Sequence, residues 1–305
     1  MSPLALGEQA QAIVAAHQAE FSLPVVGNPV LTYSSDAPIY RAAKQACLAM
    51  GFIEIDAECL ANAWQVMYQR TGRFDPTSWP NEPQDFGIPP WPRTNAFASC
   101  PKALGLYAVL PDAAWVGRMA RAGVPTVQLR FKSDDAQAIE REIKASVEAV
   151  RGTDALLFIN DHWQTAINAG AYGVHLGQED LAEANLLAIR HAGLRLGLSS
   201  HGYAEMLLAD RVSPSYIALG AVFPTTLKRM QTAPQGTGRL KAYARLMRDY
   251  PLVAIGGIDG DKMTQVLASG VGSVAVVRAI TDAPEPEAAA AKLVSSLNWY
   301  NRGLC

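Results

Sequence analysis

Cysteine is scarce. Cys47, Cys59, Cys100 and Cys305 are the four in 305 residues, and no two stand in Cys-x-x-Cys spacing. That argues against a zinc knuckle or a dithiol redox pair and leaves unreactive thiols in a reducing compartment as the expectation. An excess of one charge is lacking too, since 26 basic residues face 28 acidic ones for a net of -2. Without a global field to gather nucleic acid or an anionic membrane, any anion site has to be built locally, and the expected partners are small molecules. No apolar run reaches the ~18 residues of a spanning helix. The start, Met1-Ser2-Pro3-Leu4, has no basic flank of an export signal, so a cytoplasmic location is expected. Half of the residues are hydrophobic and 18% are charged, which excludes a disordered chain and allows one barrel-sized domain plus something smaller.

Proline and tryptophan, in contrast, crowd into one stretch: Pro76, Trp79, Pro80, Pro83, Pro89, Pro90, Trp91 and Pro92. Each proline removes a backbone donor and fixes φ, so residues 73–103 read as a linker. Before it, residues 1–72 form an accessory module of unknown function. Its segment 37–68 carries Ala, Leu and Met at helical spacing around Gly51-Phe52-Ile53-Glu54-Ile55, which predicts mainly helical or mixed structure.

After the linker, apolar runs of strand length alternate with amphipathic segments. The runs are Gly105-Leu106-Tyr107-Ala108-Val109, Thr126-Val127-Gln128-Leu129-Arg130, Ala155-Leu156-Leu157-Phe158-Ile159, Gly173-Val174-His175-Leu176, Leu194-Arg195-Leu196-Gly197-Leu198, Tyr216-Ile217-Ala218-Leu219, Leu252-Val253-Ala254-Ile255 and Ser273-Val274-Ala275-Val276-Val277. Helices are expected over 134–151, capped by Ser133, and over 181–192 and 259–269, ended by Gly193 and Gly270. Eight such units predict an α/β fold, a (β/α)8 TIM barrel over residues 104–298, with 299–305 as a tail.

Barrel chemistry belongs at the C-terminal strand ends. There Gln128, Arg130 and Lys132 share one face by period two, offering an amide and two cations that repel each other and suit an anion. Asn160-Asp161 ends the third strand and Gln178-Glu179-Asp180 follows the fourth. Two carboxylates at neighbouring strand ends either cap the next helices or hold Mg²⁺ together with waters and phosphates; beside Arg130 and Lys132 the metal reading is preferred. A polar loop with Thr225, Thr226, Leu227 and Lys228 follows the sixth strand. Gly256-Gly257 follows the seventh, where backbone N–H groups approach a phosphate closely. One rim with two anion sites suits a reaction between two phosphorylated molecules. His175 and His201 are expected to be structural, and Ser199-Ser200-His201 lacks the elbow of a hydrolase.

These residues resemble the thiamine-phosphate synthase family from about Leu104 to Ile280, through Gln128-Leu129-Arg130-Phe131-Lys132, Asn160-Asp161, Gly173 to Asp180, Gly197-Leu198-Ser199-Ser200-His201, Ala218 to Thr225, Lys228 and Ala254-Ile255-Gly256-Gly257-Ile258. The resemblance implies that Gln128, Arg130, Lys132, Asn160, Ser199 and Lys228 hold 4-amino-5-hydroxymethyl-2-methylpyrimidine diphosphate. Mg²⁺ would sit on Asp161 and Asp180, and Arg130, Lys132, Ser199 and Lys228 would serve catalysis. It also implies that 4-methyl-5-(2-phosphoethyl)thiazole is held at Thr225, Thr226, Leu227, Gly256, Gly257, Val277 and Arg278, and that the reaction is dissociative with no protein nucleophile.

Leu227 and Arg278 depart from the family, where many members carry threonine and serine. Arg278 either contacts the phosphate in place of the serine or points to solvent. The alternatives are a thiazole-phosphate isomerase or a regulatory barrel of the same superfamily. The first ~100 residues lie outside the resemblance, and packing on the barrel, dimerisation and descent from a fused pathway enzyme all stay open for them, as does a homo-oligomer.

Overall fold

A computed structural model of the chain describes residues 6–25, 31–226 and 232–302. Eight parallel strands close on themselves in the order β1 to β8: β1 Gly105–Leu110, β2 Thr126–Leu129, β3 Leu156–Asn160, β4 Gly173–Leu176, β5 Arg195–Ser200, β6 Tyr216–Leu219, β7 Leu252–Ala254 and β8 Ser273–Val276. β8 pairs back onto β1 in the register Leu106↔Val274. The expected (β/α)8 barrel is therefore present, with every expected strand in place.

Period-two alternation sorts the strands into two cores. Leu106, Ala108, Val127, Leu129, Leu157, Ile159, Val174, Leu196, Leu198 and Ile217 face outward under the helices. Tyr107, Val109, Phe158, Tyr216, Ala218, Val253 and Ala275 fill the lumen. Two strand glycines make room for the lumen rings. A Cβ on Gly197 would lie 2.1 Å from the Tyr216 ring, and one on Gly173 would lie 2.5 Å from Phe158. The lumen is a packed core up to the rim, so substrates have to be handled at its mouth.

The barrel helices differ from expectation in detail. The helix after β2, α5 (Ala136–Ala149), is capped by Asp135, which accepts from Gln137 N at 2.8 Å. Ser133 instead accepts from Asp135 N and shapes the turn before it. The helix expected over 181–192 is two short ones, α7 (Gln178–Leu181) and α8 (Leu186–His191). Asn185 breaks it by taking the cap of the second, accepting from Ala188 N at 3.0 Å, as a short amide that competes with helical bonding tends to do. The last helix, α13 (Pro286–Arg302), continues past residue 298.

Ahead of the barrel lie α1 (Leu6–Phe21), α2 (Pro38–Ala49) and α3 (Glu54–Thr71). Of the run 51–55, residues 51–53 lead into α3 and Glu54 and Ile55 begin it, with Gly51 at φ +75°. Ile13, Tyr40, Ala43, Cys47, Leu60 and Trp64 are buried among these helices, and their core is continuous with that of the barrel. α3 packs on α9 (Tyr203–Val212) and α1 on α10 (Gly236–Leu246), the helices after β5 and β6. The proline-rich stretch then runs down the outside of the barrel to β1. Trp79 donates to Tyr203 Oη at 3.0 Å, Phe86 stacks on Tyr203, and Arg93 pairs with Asp210 at 2.6 Å. Farther along, the carbonyl of Ala98 accepts from Ser215 Oγ at 2.6 Å. Its regular structure is one 3-10 turn, Pro83–Phe86, as the missing donors dictate.

Candidate active site

Asp161 and Asp180 meet at the C-terminal ends of β3 and β4. Asp161 sits in the left-handed region at φ +63°, which turns the chain out of β3. Its side chain does not cap α6 (Trp163–Ala169), so it stays available at the mouth. Asn160 Nδ2 donates to Asp161 Oδ2 at 2.5 Å. Asp180 does act as a cap, since its Oδ2 accepts from Gly177 N at 3.1 Å; capping and facing Asp161 are compatible in a group with two oxygens. Burial, followed by the neighbouring Asp180 carboxylate, pushes the Asp161 carboxyl up to about 6, while the Arg130 and Lys132 cations pull it down. Two like charges forced together in a half-buried place invite a cation. Among the described residues no cluster of three or more His, Cys, Asp or Glu gathers. A closed cage is thus absent, and the pair fits Mg²⁺, which keeps waters and substrate oxygens around one or two carboxylates.

A hydrogen-bonded chain across the lumen joins Gln128 to Ser199, while Asn160 touches the carboxylate pair separately, through Asp161. Gln128 Nε2 donates to Tyr107 Oη at 2.9 Å, and Tyr107 Oη lies 2.7 Å from Tyr216 Oη. Tyr216 Oη lies 2.7 Å from His175 Nδ1, whose Nε2 lies 2.9 Å from Ser199 Oγ. Gln178 Nε2 holds the other side of the serine, donating to its carbonyl at 2.6 Å. The expectation that His175 is structural fits its burial, yet its partners reach the rim. His201 pairs with Glu205 at 2.6 Å, an i,i+4 spacing that was visible in the sequence. Tyr107, Tyr216 and Gln178 were not singled out there. Tyrosine hydroxyls inside two strands that cannot face water were the available signal.

Arg130 and Lys132 follow β2, half-buried and exposed respectively, with charges that reach Asp161. Across the mouth, Thr225 and Thr226 lie in the loop after β6, while Leu227 and Lys228 lie outside the described residues. Gly256 (φ +106°) and Gly257 (φ +63°) lie against that loop. A Cβ would come 2.6 Å from Ala221 at the first and 2.4 Å from the Pro224 carbonyl at the second. Close packing of two rim loops is therefore a further reason for the glycine pair. Val277 precedes the short helix α12 (Arg278–Thr281) without a side-chain capping bond, and Arg278 is exposed at its start. No described helix is long and apolar enough to cross a membrane.

Comparison with known proteins identifies the family. The family model described as thiamine monophosphate synthase matches residues 106–280. A thiamine-phosphate synthase of Neisseria meningitidis serogroup B is 57% identical over 185 residues, which cover 61% of this chain and 90% of that protein. One from Serratia proteamaculans is 52% identical over 201 residues, covering 66% of this chain and 95% of its own. Among solved structures, the thiamine phosphate pyrophosphorylase of Pyrococcus furiosus superposes with a TM-score of 0.58 at 28% identity, over 65% of this chain and 96% of that one. The barrel, its rim and these likenesses lead to one conclusion: the chain belongs to the thiamine monophosphate synthase family.

Proposed function

We propose that the chain is a thiamine-phosphate synthase, a transferase that joins 4-amino-5-hydroxymethyl-2-methylpyrimidine diphosphate to 4-methyl-5-(2-phosphoethyl)thiazole. The observation that carries this reading is the Asp161–Asp180 pair under the charges of Arg130 and Lys132. An isomerase of the thiazole phosphate alone has no use for such a pair. The bond between the pyrimidine methylene carbon and the diphosphate oxygen breaks with its electrons on the leaving oxygen. The thiazole nitrogen then gives its lone pair to that carbon. Catalysis consists of stabilising charge that grows on the leaving diphosphate.

Asp161 and Asp180 would hold Mg²⁺, which supplies neutralisation of the diphosphate oxygens. Arg130 and Lys132 add fixed positive charge, the guanidinium fitting two phosphate oxygens at once; Lys228 is assigned the same task by the family resemblance. Gln128, Asn160 and the Ser199 hydroxyl would orient the pyrimidine diphosphate, a role that the family resemblance assigns them. The thiazole phosphate is assigned to Thr225, Thr226, Leu227, Gly256, Gly257, Val277 and Arg278 by the family resemblance, supported by the packing of Gly256 and Gly257 against the loop that carries Thr225. Incubation with both substrates and Mg²⁺ is expected to yield thiamine phosphate and free diphosphate in equal amounts. Consumption of the thiazole phosphate with no diphosphate released contradicts the reading and favours isomerisation.

A further inference from the structure

The helices ahead of the barrel reach two of the loops that build its rim. Asp56, in the first turn of α3, accepts from Ala204 N at 2.8 Å at the start of α9, with Tyr203 N as a second donor. α9 has no capping side chain of its own, its N-cap being Gly202. A Cβ at position 202 would come 2.0 Å from Asp56 Oδ2. Gly202 is extended, at φ -174°, so its backbone suits any residue and the demand for glycine comes from the carboxylate. Ser199, at the end of β5, stands three positions before it.

The second contact is Arg239, buried at the start of α10. Its Nε donates to Phe21 O and its Nη2 to Met50 O, each at 2.9 Å, and its guanidinium lies 3.6 Å from the centre of the Phe52 ring. Its remaining nitrogen, Nη1, donates to Gln235 Oε1 at 3.1 Å, and Gln235 N donates to Ala221 O at 2.8 Å. One side chain thus ties the ends of α1 and α2 to the loop between β6 and α10.

We infer that the segment ahead of the barrel is a working part of the synthase site, with Asp56 and Arg239 as positioning residues for the β5–α9 turn and the β6–α10 loop. The inference rests on the proposed reading of the rim and goes beyond it, because the Neisseria relative is matched along 90% of its length by a stretch of only 185 residues.

The test is steady-state kinetics of the full chain with Asp56→Ala, Asp56→Asn, Gly202→Ala, the Asp56→Ala/Gly202→Ala pair, Arg239→Gln and Ser199→Ala, each checked for folding by circular dichroism. Asp56→Ala is expected to lower kcat/KM by about tenfold or more, chiefly through KM for the pyrimidine diphosphate, as a displaced rim group does. Asp56→Asn, which keeps one acceptor, recovers part of the loss. Gly202→Ala matches Asp56→Ala, and the double variant loses no more than either, because both remove the same contact. Arg239→Gln moves KM for the thiazole phosphate more. Folded Asp56 and Gly202 variants with unchanged constants, beside an impaired Ser199→Ala, overturn the inference alone; additive losses in the double variant do the same. An unimpaired Ser199→Ala overturns the rim reading beneath it.

Discussion

His175 stands between Tyr216 and Ser199, 2.7 Å from the one hydroxyl and 2.9 Å from the other, and so joins the packed lumen to the rim of the barrel. A neutral imidazole has one N–H and one acceptor nitrogen. A head-to-tail order satisfies the whole chain: Gln128 to Tyr107, Tyr107 to Tyr216, Tyr216 to Nδ1, and Nε2–H to Ser199. On the proposed reading of the rim, that order leaves the serine proton to donate to a substrate oxygen.

Tyr216→Phe deletes the link that both Tyr107 and His175 contact. Each is then left with one buried partner fewer, at a cost of roughly 1–3 kcal/mol in stability. Urea unfolding is expected to show that loss, and kcat/KM is expected to fall by less than in Ser199→Ala. A variant as stable and active as the wild type refutes the linkage.

Gly197→Ala places a methyl within 2.1 Å of the Tyr216 ring, which the packed lumen cannot move aside. Overpacking of this kind costs about 1–3 kcal/mol or more. A lowered melting temperature is expected, and adding Tyr216→Ala is expected to restore part of it. Equal melting of Gly197→Ala and wild type contradicts the described lumen.

On the proposed reading, Arg130→Ala removes a cation from the leaving diphosphate. Unit charges ~4 Å apart at an effective dielectric of ~20 attract by about 4 kcal/mol, so a loss of about 10²- to 10³-fold in kcat/KM is expected. Arg130→Lys recovers part of it without the two-oxygen contact. Steady-state kinetics at fixed Mg²⁺ measures both, and an unimpaired Arg130→Ala removes the arginine from the site.

Burial pushes the Asp56 carboxyl from its ordinary 3.8 up to about 6, against the pull of its backbone donors and Arg239. Glu205, itself paired with His201, pushes it the same way as burial. Cys47, Tyr203 and Tyr243, which also face it, are kept protonated by burial. Between about pH 4 and 6 the folded chain holds a proton that the unfolded chain has released, so this group stabilises the fold less as pH rises through 6. Two units correspond to about 3 kcal/mol. Relative to Asp56→Asn, which does not titrate, the wild type is expected to lose stability by up to that amount from pH 4 to 8. A constant difference in urea midpoints across this range contradicts it.

The barrel was legible because its strands are apolar runs separated by amphipathic ones, and period two then assigned Gln128 to the inner face. Breaks such as Asn185, and the choice of Asp135 over Ser133 as cap, depend on which of several polar residues wins a local competition. Asp161 and Asp180 could be named from their places at strand ends, whereas the lumen chain could not. Tyr107, His175 and Tyr216 stand on strands far apart in the sequence, and only closure brings their polar atoms together. The docking of Asp56 on Ala204, 148 positions away, left no local trace beyond a glycine at 202.

The central claim is tested most directly by following thiamine phosphate formation from the two substrates across a Mg²⁺ titration, for wild type and Asp161→Ala, with EDTA as control. The account predicts product from the wild type that rises with Mg²⁺ and vanishes in EDTA, and almost none from Asp161→Ala at any concentration. Equal rates from the two proteins, or product formed by the wild type in EDTA, contradict it.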